Sequence, residues 1–316
     1  MATGTVIKGM NIDQGCNKQC ENCERYFECD LSYKQIFQSK GIISLIKENL
    51  KNVKNKVIVL GGKGGVGKSM MTANLAVALV ERGKKVCVLD QVYDCPAIPM
   101  MLGIPDDARL MIGDKGLIPY QSKWGVKVVS TGLILDQDEV IIWYHDMKRN
   151  ATEELLGAVD YEGADYLIAD IPAGTSSETV NILKYMPDIK GSVVVTVPSG
   201  VSQNVARKCI YILQKANVPI TGVVENMSDT DCPKCGVPVS IISTGAGERM
   251  AQEEGVPFLA KIPTSQKVSV TLDEGEPFVI KYPESEEAKA ITKIVDALIE
   301  SCEGSKGKKL VPKPAN

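Results

Sequence analysis

Histidine is almost missing from this chain: His145 is the only one in 316 residues. A single histidine with no visible partner is read as structural or surface, so no catalytic role is assigned to it. Long apolar runs are missing as well. None approaches the ~20 residues that a membrane-spanning helix needs. The opening Met-Ala-Thr-Gly-Thr-Val-Ile-Lys has no apolar stretch of the signal-peptide kind. Nor is there an excess of positive charge: 36 Lys and Arg stand against 39 Asp and Glu, a net charge of −3. Nothing in that balance favours broad nucleic-acid binding, which wants a basic face. Internal repeats are absent. The expectation is a cytoplasmic protein with neither a membrane nor a nucleic acid as partner.

What is present is a core. Hydrophobic residues make up 44%, and from about residue 56 strand-like and helix-like segments alternate. Runs at 56–60, 86–90, 126–130, 166–170, 192–197, 220–226 and 258–262 read as strands. Helical spacing falls at 68–82, 178–186, 202–215 and 245–254, with a short helix at 40–52 leading in and a last one at 284–301. This predicts an α/β fold: a mainly parallel sheet covered by helices on both faces, with ligands outside the carboxyl ends of the strands. Three parts are expected: a polar cysteine-rich segment over 1–39, a nucleotide-binding domain over 40–303, and a disordered lysine- and proline-containing tail over 304–316.

Directly after the apolar run Val57-Ile58-Val59-Leu60 comes Gly62-Lys63-Gly64-Gly65-Val66-Gly67-Lys68-Ser69. Such a loop can wrap a triphosphate in backbone N–H groups, set Lys68 on the outer phosphates and give Mg²⁺ the Ser69 hydroxyl. Gly62, Gly64 and Gly67 also satisfy a dinucleotide fingerprint, with Asp90 about where a ribose-binding acid belongs. Lys68-Ser69 decides for the phosphate loop, because a dinucleotide needs neither the lysine nor the hydroxyl. Lys63 lies too early in the loop to serve its own phosphates as Lys68 does, and could reach a nucleotide held by a second subunit. Asp170, closing Tyr166-Leu167-Ile168-Ala169-Asp170, is placed to hold Mg²⁺ through water, and Gly174 just beyond suits a switch.

Ten cysteines are many for a reducing compartment, where clusters point to metal rather than to disulfides. Cys87, Cys95, Cys209 and Cys302 are scattered and read as core or surface residues. Cys232-Pro233-Lys234-Cys235 offers two thiolates, whereas a tetrahedral zinc or an iron–sulfur cluster ordinarily takes four protein ligands. A redox dithiol, a turn without function and a site shared across a two-fold axis are the options; sharing is preferred, since Lys63 also points to face-to-face pairing. The N-terminal group Cys16-x₃-Cys20-x₂-Cys23-x₅-Cys29 has the tight spacing of iron–sulfur ligation rather than the paired spacing of zinc. Its first three cysteines also match the radical S-adenosylmethionine pattern, but the phosphate-loop domain that follows is the wrong context.

Together these residues resemble a known family. The loop at 62–69 is similar to the deviant phosphate loop of the MinD/ParA/NifH class. Within it, Cys95-Pro96-Ala97-Ile98-Pro99, Trp143 with Met147-Lys148, the stretch 170–176, Val223-Val224-Glu225-Asn226-Met227-Ser228, Cys232-Pro233-Lys234-Cys235, the stretch 245–249 and Asp273-Glu274-Gly275-Glu276-Pro277-Phe278 resemble the Mrp/ApbC-type iron–sulfur cluster carriers. Cys20, Cys23 and Cys29 resemble the N-terminal cluster site of the eukaryotic cytosolic scaffold branch. The resemblance implies a homodimer with ATP near its interface, Lys63 contacting nucleotide across it, Lys68 and Ser69 on phosphate and Mg²⁺, and Asn226 on the adenine. It further implies that Cys232 and Cys235 of both subunits bridge a labile [4Fe–4S] cluster destined for apo-proteins. A nitrogenase-reductase-like electron carrier is the competing reading, but that class takes its cysteines singly from separate loops. A membrane-positioning switch would need a basic amphipathic helix; the last helix instead carries Glu284, Glu286, Glu287, Asp296 and Glu300.

Three departures stand out. The family's Asp-x-Asp after the second strand is Asp90-Gln91-Val92 here. Valine can neither accept a proton nor orient water, so slow or absent hydrolysis is expected, with nearby Asp94 the candidate replacement. Ala173 stands for the usual second proline, which is expected to loosen the switch. Cys16 lies closer to Cys20 than the scaffold branch has it, which puts its equivalence as a ligand in question.

Overall fold

The computed structural model describes residues 40–135, 142–231, 235, 237–239 and 245–304. The cysteine-rich stretch 1–39, with Cys16, Cys20, Cys23 and Cys29, lies outside the described residues, as do Cys232 and the tail from 305.

In chain order the strands are β1 (Asn55–Leu60), β2 (Val86–Asp90), β3 (Met111–Gly113), β4 (Gly116–Ile118), β5 (Tyr120–Gln121), β6 (Lys127–Val129), β7 (Tyr166–Asp170), β8 (Ile189–Thr196), β9 (Gly222–Ser228), β10 (Thr230–Asp231), β11 (Pro238–Val239) and β12 (Phe258–Pro263). The helices are α1 (Lys40–Asn49), α2 (Lys68–Glu81), α3 (Ile98–Met101), α4 (His145–Gly157), α5 (Ser177–Tyr185), α6 (Gly200–Lys215), α7 (Ala246–Glu254), α8 (Gln266–Asp273), α9 (Phe278–Lys281) and α10 (Glu286–Glu303).

Eight strands form one sheet in the order β12-β9-β8-β1-β7-β2-β6-β5. All neighbours run parallel except β5, which closes the edge antiparallel to β6. The central strands are continuous apolar runs because both faces are covered. Val57 and Val59 pack with α2 and α10, whereas Ile58 and Leu60 pack with α1, α4, α5, α6 and α7. Successive side chains of a strand point to opposite faces, so each residue of β1 is assigned to a layer by parity alone. The same parity separates Val86 and Val88 from Cys87 and Leu89.

Local signals set the helix ends. Ser285 caps α10 by accepting the Ala288 amide at 3.2 Å, and Ser199 caps α6 by accepting the Ser202 amide at 3.2 Å. Lys56, a buried lysine in β1, donates its ammonium to the Leu50 and Val53 carbonyls beyond α1, at 3.3 and 2.8 Å. The buried ammonium thus ties β1 to the turn that follows α1, whose Leu50 carbonyl also accepts the Val53 amide at 3.2 Å. Cys87, Cys209 and Cys302 are buried and Cys95 is exposed, the split expected for scattered cysteines. Among the described residues no helix is long and apolar enough to cross a membrane.

Candidate functional site

β1, β7 and β2 lie side by side, so their carboxyl ends bring together the loop at 61–67, Asp170 and Asp90. In register, Asp90 is the partner of Asp170, and Val59 is its partner on the other side. Three motifs far apart in the chain thus meet because parallel strands put all their ends on one edge.

The loop turns sharply and enters α2 through Gly67, whose φ of +93° lies in the left-handed region. A β-carbon at Gly67 would also collide with the Asn226 carboxamide, so glycine is required here twice over. Asn226, at the far end of β9, donates its Nδ2 to the Val66 carbonyl at 2.9 Å. The residue expected on the adenine thus also braces the phosphate loop. Lys68 is buried and its Nζ donates to the Lys63 carbonyl at 3.3 Å. Burial draws the ammonium below its ordinary pKa, and Asp170 partly offsets this. The Lys63 side chain is exposed and has no partner among the described residues.

Both oxygens of buried Asp170 are occupied: Ser69 Oγ donates to one at 2.6 Å and Thr72 Oγ1 to the other at 2.9 Å. Thr72 escaped the sequence reading; its signal is the spacing of three residues from Ser69, which puts both hydroxyls on one helix face. Asp90, 1% exposed, accepts the Val92 amide at 3.0 Å and the Ser130 hydroxyl at 3.1 Å. Burial pushes the Asp90 carboxyl well above the usual range, and the neighbouring Asp170 adds to it. Burial raises Asp170 too, though the Ser69 and Thr72 hydroxyls and Lys68 hold it back. Two oxygen-bearing groups on Asp170 and Ser69, beside a second carboxylate, fit a hard divalent cation.

The stretch after β7 folds back on the loop. Gly174 donates its N–H to the Gly61 carbonyl at 2.9 Å, so the residue read as a switch is tied here to the start of the loop. Asp94 is 58% exposed at its side chain and pairs with Lys148 at 2.7 Å. Among the described residues no hydrogen bond or ion pair joins its side chain to Asp90 or to the loop. The candidate replacement for the acid missing at Val92 is thus held by a lysine; Lys148 is marked in the sequence only as part of a family-like stretch, and neither this pairing nor its second partner Glu178 is foreseen there.

Past Asn226, strand β9 leads in the chain to the segment that holds Cys235. Only Asp229 separates β9 from β10, and β10 pairs antiparallel with β11 in a two-stranded ribbon, Asp231 opposite Pro238. Cys235 is exposed in the connection.

The two raised carboxyls give a pH prediction. The folded chain holds their protons more tightly than the unfolded chain does. Stability is therefore lost as pH rises from the ordinary carboxylate range, about 4, upward through neutrality. Without nucleotide or Mg²⁺, Asp90→Asn is expected to raise the melting temperature by about 4 °C at pH 8 and to add little near pH 4. Thermal melts across that range check it; a pH-independent shift would contradict the assignment.

Known proteins resemble this chain in sequence and in fold. Residues 52–299 match the family model described as ParA, the NUBPL iron-transfer P-loop NTPase. An iron–sulfur cluster carrier protein of Methanocaldococcus jannaschii is 39% identical over 92% of this chain and 99% of its own length. A cytosolic Fe-S cluster assembly factor NUBP2 homolog of Monosiga brevicollis is 35% identical over 80% and 90%. Among solved structures, a nucleotide-binding protein from Archaeoglobus fulgidus in complex with ADP superposes with a TM-score of 0.68 at 29% identity, covering 78% of this chain and 95% of that one. The Pyrococcus furiosus cell division ATPase MinD gives 0.60 at 26% identity, covering 78% and 99%. The glycine loop, the Asp90–Asp170 edge and these matches together establish that the chain belongs to the ParA-type family of NUBPL iron-transfer P-loop NTPases.

Proposed function

We propose that this protein is a nucleotide-dependent scaffold and carrier for iron–sulfur clusters, which assembles a [4Fe–4S] cluster as cargo and passes it to apo-proteins in the cytoplasm. The observation that carries the reading is the direct run of β9 from the phosphate loop, through Asn226 on Val66, into the ribbon that bears exposed Cys235. One strand thus touches the nucleotide loop at one point and leads to the Cys235 thiol a few residues later. The carrier names of the relatives support the same reading.

In this proposal ATP binds with Mg²⁺ held by Ser69 and, through water, by Asp170. Backbone N–H groups of residues 62–67 take the phosphates, Lys68 exchanges the Lys63 carbonyl for a phosphate oxygen, and Asn226 faces the base. Two copies pair face to face, exposed Lys63 of each reaching the other's nucleotide. Four thiolates, Cys232 and Cys235 from each copy, hold the cluster, and Cys16, Cys20, Cys23 and Cys29 hold another. Val92 supplies no acid, so ATP turnover is slow.

The test is anaerobic reconstitution with ferrous iron and sulfide, followed by metal and sulfide counts. The wild type is expected to exceed the Cys232→Ala/Cys235→Ala variant by about two iron atoms per chain, the share of one four-iron cluster held by two copies. The excess iron is expected to move to an apo-ferredoxin. Equal iron in both, or zinc in place of iron, would overturn the cluster assignment.

A further inference from the structure

Lys148 projects from the second turn of α4 between two carboxylates. Its Nζ lies 2.7 Å from Asp94 Oδ2 and 2.7 Å from Glu178 Oε1. Asp94 belongs to the segment after β2, four residues past Asp90. Glu178 belongs to the first turn of α5, just past the 170–176 stretch. The pair to Glu178 is not a solvated surface contact: its side chain is 4% exposed and that of Lys148 is 15%. Exposed pairs contribute little, whereas a buried pair fixes geometry, because either charge alone is costly to leave without the other. Burial would raise the Glu178 carboxyl, yet hydrogen bonds from Lys148 and the neighbouring serines bring it below its ordinary value. The second Glu178 oxygen accepts Ser177 Oγ at 2.9 Å.

One turn further along α4, Thr152 repeats the connection. Its hydroxyl lies 2.9 Å from Tyr93 OH and 3.2 Å from Gln91 Oε1, and Tyr93 OH donates to Gln91 at 2.7 Å. The Gln91 amide donates to the Asp170 carbonyl at 3.0 Å. The Tyr93 ring stacks on Trp143, just before α4, with ring centres 5.3 Å apart. A continuous polar chain therefore runs from the Asp90–Asp170 edge to α4, and Lys148 closes it onto α5.

We propose that Lys148 is a positioning residue: by pairing with Asp94 and Glu178 together it locks the segment after β2 to the start of α5, so that occupancy of the nucleotide site moves both as one body. This rests on nucleotide binding alone and not on the iron–sulfur reading. A helix that touches both segments through side chains of adjacent turns is suited to carry such a change, since coupling needs a shared element that both sites bias.

The chain has two tryptophans, and Trp143 sits where the motion would be felt. In a Trp124→Phe background, Trp143 emission is recorded as Mg·ADP and a slowly hydrolysed Mg·ATP analogue are added, with affinity measured separately by a fluorescent ADP. The starting protein is expected to change its emission on binding. Lys148→Met should keep the ADP affinity within about threefold, because no loop contact is lost, yet lose at least about half of the emission change. Lys148→Arg should restore it. The double variant Lys148→Met/Glu178→Gln removes both buried charges, guards against misfolding, and should lose the change as well. Nucleotide binding with no emission change in the starting protein, or an undiminished change in both methionine variants, would overturn the proposal alone. Failure to bind nucleotide at all would overturn the nucleotide reading with it.

Discussion

Lys68→Ala is expected to weaken Mg·ADP and Mg·ATP binding by about 100-fold or more. A charge-assisted hydrogen bond contributes about 1.5–3 kcal/mol, and a lysine on the outer phosphates makes more than one. About 3 kcal/mol corresponds to roughly two orders of magnitude in Kd. The structure adds a second cost. Lys68 is the cation that partly restrains the rise of the buried Asp170 carboxyl. Without it Asp170 holds its proton to higher pH, and a protonated carboxyl is a poor partner for Mg²⁺. The loss should therefore be larger at pH 6 than at pH 8. The fold should survive, because the lysine's one hydrogen bond in the structure is the long contact to the Lys63 carbonyl. Isothermal titration at the two pH values, with melting temperatures recorded alongside, checks both parts. A loss of less than about threefold would remove Lys68 from the phosphate site.

The second large effect is steric. Gly62 lies against the backbone of α6: an added β-carbon would stand 2.6 Å from the Ala206 nitrogen and 2.6 Å from the Val205 β-carbon. Helix backbone cannot step aside as a flexible side chain can. Gly62→Ala is expected to cost about 1–3 kcal/mol, the usual range for forcing extra volume into a packed contact. That is a fall of about 2–6 °C in melting temperature for a chain of this size. The loop must lift from α6 to accept the methyl group, so nucleotide affinity should fall about tenfold as well. Gly64→Ala is the matched control, since its β-carbon would meet no atom within 4 Å; it should leave stability unchanged. If both variants behave alike, close packing of the loop is not what fixes its shape.

The sheet was legible because its strands are apolar on both faces and follow one another with helices between. The runs at 86–90 and 166–170 coincide with β2 and β7, and that at 192–197 differs from β8 only at its ends. What escaped was held by other means. α4, with sequence HDMKRNATEELLG, carries its buried leucines, Leu155 and Leu156, only near its end, and its earlier turns are attached by polar groups, through Lys148 and Thr152. The ribbon of β3 and β4 exposes Met111 and Ile112, so no inside–outside alternation marks it. α9 is a single turn whose start is held from afar, the Val279 amide donating to Asn74 at 3.1 Å.

The site divides in the same way. Lys68, Ser69, Asp90 and Asp170 could be named because a phosphate loop carries its chemistry in consecutive residues and parallel strands gather their ends. The bond from Asn226 to Val66, the hydroxyl of Thr72 on Asp170 and the lysine on Asp94 join residues far apart in the chain. Only folding tells which oxygen each donor meets. Asp94 shows the difference best: proximity in sequence offered it as a substitute acid, and in space Lys148 occupies it.

The ribbon of β10 and β11 pairs only with itself among the described residues, outside the eight-stranded sheet. Changes confined to it alter no strand of the eight-stranded sheet. Such a detachable tip can diversify over generations while the engine beneath it stays constant, which is how one chassis could come to serve unlike loads.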